Sequence, residues 1–295
     1  MTYHAAPTPA TALGGLLAVW AWAVGSLVLA WAAGWPVAFT TFLAYLSGAS
    51  LLGLGFVFAY WAYAGLALRY VVEGETLTIK LGPAQQVIPL AQVERVVPGH
   101  ALPSPRVQGV SWWGLHIGRA HLGSVGDTIV YSTHHSHEQL LYLVTPTGAF
   151  ALSPQQPSRF TRAVQLRPEA DASRQMQPQT RRLALAAQPF WQDRRGQVLA
   201  LLGLGLNLAL FGFIFAVLPG LPDSIPLAFP PGLAERLGSK DEVLELPLVA
   251  LAVLAVNTAL ALVLHARERA AAYILLGGAV GLQALLWIAT AAAVA

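Results

Sequence analysis

The chain has 295 residues, 56% of them apolar and only 11% charged, with 17 Lys+Arg against 14 Asp+Glu and no cysteine. A soluble domain carries roughly 25% charge, so this composition excludes an ordinary soluble protein and a disordered one. The lack of cysteine excludes a disulfide scaffold, thiol chemistry, iron–sulfur clusters and Cys-type zinc sites.

No Asp, Glu, Lys or Arg precedes Arg69, as expected of an integral membrane protein with a polar region in its middle. A membrane helix needs about 20 mainly apolar residues. Five segments qualify: Ala12 to Gly34, Ala38 to Leu68, Val198 to Leu218, Leu248 to Leu264 (starting as early as Leu244) and Ala270 to Val294. The first lacks a basic start and is long for the apolar part of a secretion signal, so it reads as a span. Tyr60-Trp61-Ala62-Tyr63 forms an aromatic belt ahead of Arg69. The spans hold no Asp, Glu, Lys or Arg, which argues against a pump. Asn207, Asn257 and Gln283 are expected to bond to neighbouring helices, and Gly277 and Gly281 to permit close helix approach.

Sidedness follows from the basic residues. Residues 69–195 carry 13 of the 17, and Arg267 and Arg269 occupy the link between the last two spans. The 219–246 loop has only Arg236 and Lys240 against Asp223, Glu235, Asp241, Glu242 and Glu245. The positive-inside rule, resting on Arg69, Arg194, Arg195, Arg267 and Arg269, places the N-terminus and residues 69–195 in the cytoplasm. The 219–246 loop and the C-terminus then lie outside.

The middle of the chain alternates as strands do. Tyr70-Val71-Val72 and Thr76 to Leu81 flank a Glu73-Gly74 turn, and Gln86-Val87-Ile88 follows Gly82-Pro83. Thr128 to Thr133, Gln139 to Thr145 and Ala149 to Leu152 are three further runs, the last two joined by a hairpin link at Pro146-Thr147-Gly148. Ser153-Pro154 reads as a Ser cap followed by Pro at the first position of a helix to about Leu166. Residues 167–195 read as a linker, flexible over 167–190. The expected fold is α+β: five membrane helices with an inserted β-barrel or sandwich of antiparallel strands, capped by one C-terminal helix.

Two stretches give this insert a resemblance. One is Gly114-Leu115-His116-Ile117-Gly118-Arg119-Ala120-His121-Leu122-Gly123. The other is Leu152-Ser153-Pro154-Gln155-Gln156-Pro157-Ser158-Arg159-Phe160, of the form (I/L)SP-x-x-P-x-x-F. Residues 69–166 resemble a bacterial pleckstrin-homology-like domain of the membrane-attached kind, which implies a binding or scaffolding module in a bacterial plasma membrane, with no active site and no cofactor. A second stretch, Leu221-Pro222-Asp223-Ser224-Ile225-Pro226 with Gly232, Gly238-Ser239-Lys240 and Pro247, is similar to a loop of bacterial toxin-immunity and signalling membrane proteins, with Ala228 where that family has a His.

Several residues are candidates for chemistry. His135 and His137 would share one face of a strand, and His116 or His121 could supply a third nitrogen to a metal; turn or strand-edge histidines that ligate nothing are the competing reading. Arg119 would hold an anion or pair with Asp127. Gly114, Gly118 and Gly123 fit no phosphate-loop spacing and read as structural. Trp112 and Trp113 are either core or an exposed patch for a protein partner. Glu73-Gly74-Glu75 has the wrong sign for a phosphoinositide in the first hairpin turn, and no basic stripe with interleaved aromatics suits a nucleic acid. Residues 69–195 still carry a net charge of +5, and Arg69, Arg181, Arg182, Arg194 and Arg195 suit unspecific attraction to anionic lipid. The function expected is non-enzymatic: a cytoplasmic domain that binds an unidentified protein or monitors the membrane surface. The alternative is a toxin-immunity, signalling or transport-like protein acting through the 219–246 loop and the helices.

Overall fold

The computed structural model describes residues 1–82, 84–134, 136–165, 179–181, 189–227 and 236–294. It divides into two compact units, one of residues 1–23 and 51–183, the other of residues 24–50 and 184–295.

The first unit opens with a short strand, β1 (Thr2–His4), ahead of helix α1 (Pro9–Ala32) and helix α2 (Phe39–Ala67). Thr8 starts α1 by accepting from the Ala10 N–H at 3.2 Å, an N-terminal cap. The near ends of α1 and α2 pack closely because glycine leaves room: a Cβ on Gly14 would sit 3.1 Å from the Phe58 carbonyl. From α2 the chain passes without a break into β2 (Leu68–Glu73), then β3 (Thr76–Leu81) and β4 (Ala84–Pro89).

Next come β5 (Arg95–Pro98), β6 (Gln108–Trp112), β7 (Leu115–Leu122), β8 (Gly126–Ser132), β9 (Leu141–Thr145) and β10 (Gly148–Leu152). Helix α3 (Pro157–Gln165) and strand β11 (Gln179–Arg181) complete the unit. One sheet has the order β1-β2-β3-β4-β11 and the other β5-β9-β10-β8-β7-β6. Tyr70, Leu77, Ile79 and Ile88 from the first sheet share one core with Leu115, Leu143, Phe150 and Leu152 from the second. Phe160 and Val164 of α3 and Ala10 and Ala64 from the helix ends join the same core. The apolar alternation that marks β3 as a strand thus points its buried residues at the facing sheet.

A buried polar junction ties the unit together. Tyr70 donates to the Tyr131 carbonyl at 2.8 Å and accepts from the Ser153 N–H at 3.1 Å. The Ser153 hydroxyl accepts from the Thr133 N–H at 2.7 Å, and Thr133 donates to the Ala6 carbonyl at 2.6 Å. Burial pushes the Tyr70 hydroxyl up to about 12, against the opposing hydrogen bonds from Ser153. This junction corrects the expected start of the closing helix. Ser153 is engaged with Thr133, Pro154 bridges to Ala5, and α3 begins instead at Pro157.

Other expectations shift as well. β10 lies parallel to β8, so the second sheet is mixed rather than wholly antiparallel. The run from Gln139 begins as a strand only at Leu141, because residues 137–139 form a 3₁₀ turn. Within the expected connector, β11 pairs with β4.

The second unit contains α4 (Arg194–Val217), α5 (Glu245–Leu264) and α6 (Arg269–Val294), with a hairpin of β12 (Ser224–Leu227) and β13 (Arg236–Ser239) between α4 and α5. Asn207 on α4 donates to the Pro247 carbonyl at 3.0 Å and to Gln283 Oε1 at 3.3 Å, while Gln283 donates to the Ala250 carbonyl at 3.0 Å. Asn207 and Gln283, two of the three amides expected to bond between helices, therefore do so. Among the described residues of both units, five helices are long and apolar enough to cross a membrane: Pro9–Ala32, Phe39–Ala67, Arg194–Gly220, Lys240–Leu264 and Arg269–Ala292.

Candidate functional site

The second sheet ends at β6, which is bonded on one side to β7 and has no strand partner on the other among the described residues. Gln108, Gly109 and Ser111 on this edge are exposed. Gly109 faces Gly118 in register, and a Cβ on Gly118 would run into the Gln108 carbonyl. The glycines of the Gly-rich stretch thus let two backbones approach, and the stretch is largely one strand, β7.

Gln108 is also the register partner of Arg119, and the two open onto a pocket of about 450 Å³. Its floor is Ala120, Ala149 and Phe150, and its polar wall includes Gln86, Thr128 and Thr147. Arg119 does not take Asp127 as its ion-pair partner. His121 does, with Nδ1 2.8 Å from Asp127 Oδ1, and both side chains are open to water. An arginine at the mouth of an apolar-floored pocket suits a carboxylate on an extended chain. Sequence reasoning picked out Arg119 but not Gln86, Gln108 or Thr128, because the pocket joins residues from both sheets.

The tryptophan pair divides. Trp112 packs on Trp61 at 4.2 Å and on Phe58 at 5.4 Å, both from α2. Trp113 is 57% exposed, in the left-handed region at φ +30°, and its carbonyl accepts from Thr8 at 3.3 Å. A left-handed non-glycine residue is a strained turn position.

His135 lies outside the described residues. His137 is not on a strand beside it: it opens a 3₁₀ turn capped by Ser136. His116 stacks on His134 with ring centroids 4.2 Å apart, while Ser111 meets His116 Nδ1 at 2.8 Å and Ser132 meets His134 Nδ1 at 2.7 Å. Among the described residues no three His, Cys, Asp or Glu side chains cluster as metal ligands would.

A second groove, about 770 Å³, runs between β1 and α3 and is lined by Tyr3, His4, Arg159 and Arg162. Of the arginines assigned to the membrane surface, Arg69 is exposed at the start of β2 and Arg181 ends β11. Arg194 and Arg195 open α4, and Arg182 lies outside the described residues. In the second unit, sequence reasoning missed His265, which is buried with Nε2 3.4 Å from Asp193 Oδ2. Burial raises the Asp193 carboxyl, but the Tyr273 hydroxyl, the Gly196 and Arg195 N–H groups and the neighbouring His265 outweigh it and hold the group below its usual range. In the 219–246 loop, Asp223 meets Lys240 at 2.9 Å beside the β12–β13 hairpin. Ala228 lies outside the described residues.

Residues 68–167 match the family model described as a bacterial PH domain, about one third of the chain. No curated protein and no solved structure matches the chain.

Proposed function

We propose that this chain is a multi-span protein of the bacterial plasma membrane whose bacterial PH domain docks a protein partner on the cytoplasmic face. The observation that carries this reading is the edge of β6 left without a strand partner among the described residues, which starts at the Arg119 pocket through Gln108. A partner segment added to that edge gains main-chain hydrogen bonds, and an acidic side chain at its end reaches Arg119. The role is binding without catalysis, and the membrane helices hold the domain at a fixed height, which raises its effective concentration toward other membrane-bound chains. The basic residues around 69–195 support the cytoplasmic side.

The test uses the full chain, because β1 is a strand of the domain and a fragment starting at residue 69 would lack it. A photo-crosslinking residue is placed at Gln108 or Ser111 in living cells, with Ser124 as control. The expected result is a protein adduct at 108 and 111, absent at 124 and lost with Arg119→Glu. An adduct that survives Arg119→Glu, or no adduct at 108 and 111, overturns the reading. Loss of phenotype on changing Pro222, Pro226 or Lys240, with a deletion of residues 70–190 tolerated, would favour the loop and helices instead.

A further inference from the structure

The register of the first sheet aligns its cationic residues in a way the sequence hides. His4 pairs with Arg69, Arg69 with Lys80, Lys80 with Gln85, and Gln85 with Arg181. Directly opposed residues share a face, so one row of positions crosses all five strands, β1-β2-β3-β4-β11, at about 4.8 Å per strand. Arg69 and Lys80 oppose each other in this row with no ion pair among the described residues. Like charges placed directly opposite are destabilising unless an anion lies against them.

The row sits at the helix end of the sheet. Arg69 is two residues past the end of α2. Two residues beyond Lys80, Gly82 lies against the same helix: a Cβ on it, at φ +55°, would lie 2.8 Å from the Tyr63 ring. Tyr60 and Tyr63 are half exposed on the last turns of α2, as aromatic belt residues are. The carboxylates of the hairpin, Glu73 and Glu75, are at its other end, four residues away or roughly 13 Å.

We infer that the His4–Arg69–Lys80–Gln85 row is a docking surface for anionic phospholipid headgroups, which fixes how the β-rich domain lies on the bilayer. The inference rests on the proposed membrane setting and extends it to a specific face and lipid charge class. The first hairpin turn, with its two glutamates, points away from the lipid.

The chain has no cysteine, so single-cysteine labelling is clean. A polarity-sensitive dye on Gln85→Cys is read in nanodiscs containing a headgroup-spin-labelled lipid, with Tyr60→Cys as reference. In phosphatidylcholine with about 30% phosphatidylglycerol, the row dye is expected to be quenched. Removing one row charge weakens contact about fivefold, by the usual strength of a basic residue near an anionic surface. The quenching therefore falls with Arg69→Gln or Lys80→Gln, in pure phosphatidylcholine and at 0.5 M salt, while Arg69→Lys retains it. Quenching that ignores charge, salt and lipid overturns the inference, as does a row dye that stays unquenched while Tyr60→Cys is quenched. If Tyr60→Cys is not quenched either, the membrane setting itself fails. The salt series needs no charge substitution, so a misfolded variant cannot decide the outcome.

Discussion

The sheets of the first unit and the helices of the second are built on opposite plans. In the β-rich unit, Phe160, Leu143 and Tyr70 are fully buried while charges such as Arg69, Arg119 and Glu73 face outward. In the helical unit, Ile274, Val263, Leu201 and Ile288 are among the most exposed side chains, and Asn207 and Gln283 are fully buried. The first gains stability by removing apolar area from water. The second carries its apolar area outside, so close packing and a few interhelical hydrogen bonds must specify its interior. The position of the polar atoms, more than the share of apolar residues, tells the two apart.

Four measurements sharpen or break this contrast. Phe160→Ala in the full chain removes a ring from the closed β core and should cost about 3–5 kcal/mol of denaturant stability in that unit alone; an unchanged midpoint would mean α3 does not seal the core. Next comes alkaline pH. Folding holds the Tyr70 proton up to about 12, whereas an unfolded tyrosine loses it near 10. The Tyr70 contribution is therefore fully present below pH 10 and is lost on going from 10 to 12, on the order of 2–3 kcal/mol. Absorbance titration should show a late tyrosine class that titrates with unfolding, joined by Tyr142, whose buried hydroxyl is also pushed up to about 12.

Smaller is Tyr70→Phe, which strips the Ser153 N–H and the Tyr131 carbonyl of a partner and should cost about 1–3 kcal/mol. It should also remove one residue from the late class. The smallest effect belongs to the helices: Asn207→Leu, measured by reversible unfolding in lipid, should cost about 0.6 kcal/mol and no more than about 1.7. A loss as large as that of Phe160→Ala would erase the contrast.

The sequence makes the five long helices legible because hydropathy over 20 residues is a summed signal. The Glu73-Gly74 hairpin is legible for the same local reason, a turn between two alternating runs. The elements that escape depend on distant partners. β1 is three residues long and pairs with a strand more than 60 residues away. β11 is three residues in a Gln-rich stretch and pairs with β4. Ser153 resembles a helix cap until Thr133 is placed beside it, and Arg119 becomes a pocket residue only when β4 and β10 face it. Local composition identifies elements, whereas a site made across two sheets depends on register.

The pairing of Tyr3 with Tyr70 has a consequence for biosynthesis. β1 is translated before α1 and α2, yet the strand that receives it is made only after both. Synthesis must therefore deliver the two helices as a returned pair before the sheet can close. A nascent chain that fails to turn back keeps an unmated strand ahead of α1 and an incomplete sheet behind α2, which quality-control proteases can distinguish from the finished product.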